Sequence, residues 1–257
     1  MELWHETHGA GAPVFLIHAG VGDSRMWEPQ WQTFSETHLT ARCDLRGFGR
    51  TPIAAERYSH ARDIAELLDQ LKLGPYRLVG ASLGGRVALE VALARPDLVD
   101  RLVLVGASVP GHDWSDTVRT FGDEEEAALG RGDIEAAVEA NLRMWVDGPD
   151  RRPDEVDQAV RRLVGEMQRR AFALQVPVWE QAEEELLVSD VGDRFVEIRL
   201  PTLVVVGEKD VSDIHVIAQR LASGIHGALM ATIRGAAHLP SLERPDDFAR
   251  LAMPFLS

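Results

Sequence analysis

Cysteine is all but missing. Cys43 is the only one in 257 residues, which excludes an intramolecular disulfide and a thiolate-held metal, and it reads as a small buried hydrophobe. Positive charge is also short: 27 Lys and Arg stand against 41 Asp and Glu, a formal charge of −14. Such a chain repels phosphate backbones and anionic membrane surfaces, so neither nucleic acid nor a membrane is an expected partner. No apolar run approaches the roughly 18 residues of a membrane span. The opening M-E-L-W-H-E-T-H-G lacks the basic and apolar stretches of a secretory signal, and the expectation is a soluble cytoplasmic protein. H-E-x-x-H and G-x-x-x-x-G-K are absent, and the glycines at 47 and 49 lack the third member and the placement of a dinucleotide fingerprint. No metal and no cofactor are therefore expected. Internal repeats and low-complexity tracts are lacking as well.

What is present is ample core, 45% hydrophobic residues, in a length that suits one α/β domain or two small ones. Short continuous apolar runs recur at 14–17, 40–43, 76–80, 101–106, 202–207 and 228–233, a pattern of strands buried on both faces. Amphipathic stretches such as His60 to Leu73 and Leu83 to Ala94 lie between them. Strand then helix, repeated, predicts a mostly parallel sheet with helices on both faces, and the alternating Glu2 to Thr7 predicts an antiparallel edge strand. The repeat breaks after Val105. The next apolar run comes only at Thr202, and the charged stretch between reads as four helices, Asp116 to Leu129, Asp133 to Val146, Asp154 to Leu174 and Trp179 to Val188. The expected division is therefore a core of residues 1–109 and 200–257 with a helical cap of 110–199, whose Trp114, Trp145 and Trp179 either face a ligand or pack the cap itself.

The run Tyr76 to Gly80 leads directly into G-A-S-L-G, Gly80 to Gly84, and a helical pattern follows at once. With 22 glycines in 257 residues, G-x-S-x-G has about 0.1 chance occurrences, and both flanking contexts of a nucleophile elbow are met. Ser82 is the candidate nucleophile, standing at the carboxyl end of the sheet and at a helix N-terminus. A serine hydroxyl needs a base, and behind such an elbow the chain order is Ser, acid, His. Among His112, His215, His226 and His238, only His238, in G-A-A-H-L-P, lies in a loop just beyond the last strand. Asp210, closing V-V-V-G-E-K-D after the strand from Thr202, is the candidate acid; Glu208, Asp213 and Asp113 are its rivals. Backbone N–H groups of Leu83 and of Gly20, in H-A-G-V-G, are the candidate oxyanion donors, with Ala19 next. His18 and Arg46 read as structural. Ala19, Trp145, Trp179 and Leu239 are the expected substrate contacts.

The H-x-G segment at 18–20, D-L-R-G-F-G at 44–49, the elbow, G-x-x-D at 207–210 and G-x-x-H at 235–238 together make the chain resemble the α/β-hydrolase-fold serine hydrolases with a cap, most closely small carboxylesterases and 3-oxoadipate enol-lactonases. The resemblance runs from His18 to Pro245. One departure is Ala19, where the family usually has glycine. The resemblance implies a hydrolase that cleaves a small ester or lactone through an acyl-enzyme. The same triad serves carbon–carbon bond hydrolases and cofactor-free haloperoxidases, and, less expectedly, small-ligand receptors. Relatives with an aspartate nucleophile are disfavoured because that position is Ser82. The acyl and alcohol groups and the oligomeric state are not readable from the chain.

Overall fold

Phe15 and Ile17 face one side of a sheet, Val14 and Leu16 the other, and all four are fully buried. That two-sided burial is what a continuous apolar run predicts. In the computed structural model, which describes residues 2–257, the strands are β1 (His5–His8), β2 (Pro13–Ile17), β3 (Leu39–Cys43), β4 (Arg57–Tyr58), β5 (Tyr76–Ala81), β6 (Val99–Val105), β7 (Glu183–Glu184), β8 (Thr202–Gly207) and β9 (Leu229–Ile233). Seven form the central sheet in the order β1-β3-β2-β5-β6-β8-β9. All its pairings are parallel except β1 against β3, the expected antiparallel edge, which begins at His5 rather than Glu2.

The helices are α1 (Glu28–Ser35), α2 (His60–Leu71), α3 (Leu83–Ala94), α4 (Asp116–Gly130), α5 (Ile134–Asn141), α6 (Gln158–Gln175), α7 (Val191–Arg194), α8 (Ser212–Gly224), α9 (Pro240–Glu243) and α10 (Pro245–Leu256). Apolar faces of α2, α3 and α8 join the core on one side of the sheet, and those of α1 and α10 join it on the other. The protein thus has the α/β-hydrolase architecture, with a helical cap inserted between β6 and β8. From β2 the chain moves outward to β3, and from β5 it moves the opposite way to β6. The loops leaving β2 and β5 therefore diverge at a topological switch point, where open α/β sheets form a crevice. Ile17 pairs with Gly80 and Ala81 with Val105, which brings the ends of three strands level there.

Three cap expectations are corrected. The predicted fourth helix, Trp179 to Val188, is a turn followed by β7, which pairs with β4 (Arg57 opposite Glu183). Its acidic run is held by the core instead: Glu184 bonds Arg86 at 2.6 Å, and the Leu187 N–H donates to Glu90 at 2.6 Å. These long-range bonds outweigh a weak local helix preference. The predicted helix Asp133 to Val146 is α-helical only to Asn141 and continues as a π-helical turn, Leu142–Asp147. The third begins later than Asp154, at Gln158, where Asp157 caps it by accepting from the Ala159 N–H at 2.7 Å.

Candidate active site

Ser82 sits between β5 and α3 with φ +50° and ψ −111°, a conformation that costs a non-glycine residue about 1–3 kcal/mol. Surrounding bonds hold it there: its N–H donates to Val105 O at 2.8 Å, and its carbonyl accepts from the Arg86 N–H at 3.1 Å. The turn closes only because Gly80 and Gly84 lack side chains. A β-carbon at Gly80 would lie 2.2 Å from Gly84 O, and one at Gly84 would lie 2.3 Å from Ile17 O.

His238 lies in the loop between β9 and α9. Its Nδ1 is 2.9 Å from Asp210 Oδ2, and both residues are buried. Asp210 Oδ1 accepts from the Val211 N–H at 2.8 Å. A carboxylate at Nδ1 fixes the tautomer and leaves Nε2 as the nitrogen available to the cavity. The loop is braced from two directions. The Ala237 N–H donates to Glu243 at 2.7 Å, and Arg151 bonds both Glu243 and Gly235 O, at 2.8 and 2.9 Å. Trp145, carried by the π-helical turn, places its ring 4.5 Å from the His238 ring. The wider turn shifts side chains after Asn141 around the helix axis, and π-turns recur at functional sites for this reason.

Gly20 packs against Leu83: a β-carbon on Gly20 would be 3.6 Å from Leu83 Cβ. Leu83 opens α3, so its N–H has no intrahelical acceptor. The Ala19 N–H is engaged by Met26 Sδ at 3.2 Å, which leaves Gly20 as the better-placed donor of that loop. Ala19 is absent from the positive-φ positions, so its methyl strains nothing. Beneath the loop, His18 donates from Nδ1 to Ala19 O at 2.8 Å and accepts the Leu45 N–H on Nε2 at 2.9 Å. Burial pushes its pKa below the usual histidine value. Arg46 is tied to Asp63 and Glu56, as a structural arginine would be.

Ser82, His238 and Gly20 line one cavity of about 380 Å³ under the cap. Trp145 and Trp179 line it too. Ala19 and Leu239, expected at the substrate, do not: both are fully buried within the apolar core. The rival carboxylates are occupied elsewhere. Asp113 is 97% exposed on Arg119, Glu208 accepts from the Gly235 N–H, and Asp213 is bonded by His112 and by both the N–H and the hydroxyl of Ser115. Polar cavity residues that the sequence reading missed are Glu125, Asn141, Gln168 and Gln175. Helical spacing could have found them: Phe121, Glu125 and Leu129 lie four apart on α4, and Gln168, Phe172 and Gln175 share one face of α6.

The chain belongs to the family described as alpha/beta hydrolase fold, which matches residues 12–245. Within it, the chain is 32% identical over 274 residues to the "Putative carbamate hydrolase RutD" of Variovorax paradoxus, covering 100% of this chain and 97% of that protein. Among solved structures it is similar to Est816, described as an N-acyl homoserine lactone degrading enzyme, with 26% identity, a TM-score of 0.77 and coverage of 98% and 96% of the two chains. A hydrolase from Pseudomonas aeruginosa PA01 is similar at 25% identity and a TM-score of 0.80, with 99% and 94% covered. No helix among the described residues is long and apolar enough to cross a membrane.

Proposed function

We propose that the protein is a serine hydrolase that cleaves a small carboxylic ester or lactone through an acyl-enzyme. Ser82 Oγ attacks the carbonyl carbon while His238 Nε2 takes its proton, and the oxyanion is received by the N–H groups of Gly20 and Leu83, each worth about 3 kcal/mol in such a site. His238 then protonates the leaving alkoxide, activates water, and hydrolysis of the acyl group restores Ser82. Asp210 orients the imidazole and stabilises its charged form. The observation carrying this reading is the buried His238–Asp210 bond at 2.9 Å, in the cavity that also holds a serine at φ +50°. In this reading residues 110–199 form the part that shapes the substrate pocket. A cytoplasmic location is part of the proposal.

The test is Ser82→Ala. It is expected to remove turnover of short esters and lactones, and labelling by a fluorophosphonate, while leaving the circular dichroism spectrum and thermal midpoint near those of the parent. Retained turnover in that variant would move the nucleophile elsewhere.

A further inference from the structure

The core side of the cavity is fully used by the proposed chemistry, but the cap side carries polar groups that it leaves over. Glu125 on α4 accepts from Asn141 Nδ2 at 2.5 Å, and that amide nitrogen also donates to Ala137 O at 2.9 Å. Among the described residues Glu125 has no ion-pair partner, and no Lys or Arg lines the cavity. Burial pushes the Glu125 carboxyl up from its ordinary value against the pull of the Asn141 hydrogen bond. Gln168 on α6, in the lining of the same cavity, is 5% exposed, and its Oε1 is buried without a hydrogen-bond partner. Buried polar atoms are nearly always paired, and a half-turn of this amide, which exchanges its oxygen and nitrogen, presents the unpartnered oxygen to the cavity as an acceptor.

This wall therefore offers an amide oxygen and a carboxylate without a matching cation. A carboxylate or phosphate brought here meets like charge and gains no positive partner. An N–H group finds acceptor oxygens with capacity left over: Gln168 Oε1 has no partner, and Glu125 accepts from the Asn141 amide alone. We propose that the cap wall of Glu125, Asn141 and Gln168 is a specificity subsite for a hydrogen-bond donor, so that the substrate carries an N–H group remote from the carbonyl attacked by Ser82 and carries no carboxylate there. The proposal rests on the hydrolase reading above and narrows it to a substrate class. The remaining lining, Phe121, Leu129 and Phe172, suits the apolar linker between the two ends.

The test uses 4-nitrophenyl esters of equal length whose acyl tails end in methyl, N-acetylamino, ammonium or carboxylate. The wild-type protein is expected to favour the two donor-ended esters over the methyl-ended one by about tenfold in kcat/KM, with the carboxylate-ended ester slowest. In Gln168→Leu the preference for the N-acetylamino tail shrinks severalfold, and in Glu125→Gln the preference for the ammonium tail does so, each mainly through KM. Ratios taken within one variant cancel any partial loss of folded protein. Unchanged ratios in both variants, or a wild-type preference for the carboxylate tail, overturns the subsite. If no ester is hydrolysed, the hydrolase reading fails separately. The subsite is then read by calorimetric titration with an N-alkylacetamide, an alkylammonium and an alkanoate: tighter binding of the first two, lost in the variants, supports it, and equal binding of all three overturns it.

Discussion

Asp210 uses one carboxylate oxygen on His238 Nδ1 and the other on the Val211 N–H, so its orientation is fixed before any substrate arrives. Asparagine fits the same space, but its NH₂ group facing Nδ1 would favour the tautomer with the proton on Nε2, which cannot accept from Ser82. Asp210→Asn is expected to lower kcat by about 10⁴ with the fold retained. A rate within about tenfold of the parent would show that another carboxylate does this work. Asp113, Asp213 and Glu208 are each tied to partners of their own, so no ready substitute lies beside the imidazole. Ser82, Asp210 and His238, the proposed triad, are legible in the sequence because each follows an apolar run by a few residues. Leu239 misleads because adjacency to His238 in sequence says nothing about direction: the histidine turns to the cavity and its neighbour turns into the core.

At the scale of elements, legibility follows the source of stability. A central strand is stabilised by burial on both faces, and that requirement is written as a continuous apolar run, so such runs coincide with β2, β3, β5, β6 and β8 within a few residues. The run at 228–233, expected to be buried on both faces, forms the edge strand β9 instead, with only Ile233 buried. The cap elements are stabilised by what they touch. The segment Glu183 to Leu187 reads as helix by composition, yet Arg86, Glu90 and the edge of β4 hold it extended. The π-helical turn at Leu142–Asp147 has no compositional mark at all. The same contrast predicts unequal effects of one substitution. Leu104, on the central β6, is fully buried, whereas Leu229, on the edge strand β9, is 58% exposed. Leu104→Ala is expected to destabilise by about 2–5 kcal/mol in denaturant unfolding, and Leu229→Ala by less than about 0.5 kcal/mol. Equal losses would mean that β9 is covered in solution.

For the molecule as a whole, the charge of −14 suggests that mild acid should help by reducing self-repulsion, but buried histidines oppose it. His60 is 2% exposed, its Nδ1 has no hydrogen-bond partner, and its ring packs against Tyr58 and Phe48. Burial holds its pKa well below the usual histidine value, and the guanidiniums of Arg86 and Arg46 push the same way; His18 is shifted in the same direction by burial. The unfolded chain takes up these protons below about pH 6.5 while the native protein does not, so native stability falls as pH drops through that region. The buried carboxyls of Glu90 and Glu243, pushed up by burial, act with the opposite sign, since they withhold stability as pH rises through their native values. A comparison of Tm for the parent and His60→Leu between pH 7.5 and 5 separates the two effects, because the carboxyls are common to both proteins. The parent is expected to lose ground to the variant below pH 6.5 by at most about 1.4 kcal/mol per pH unit, the limit for one proton. Parallel profiles would show that His60 is protonated in the native protein as readily as in the unfolded chain, and that the pocket between Phe48 and Tyr58 is open to water.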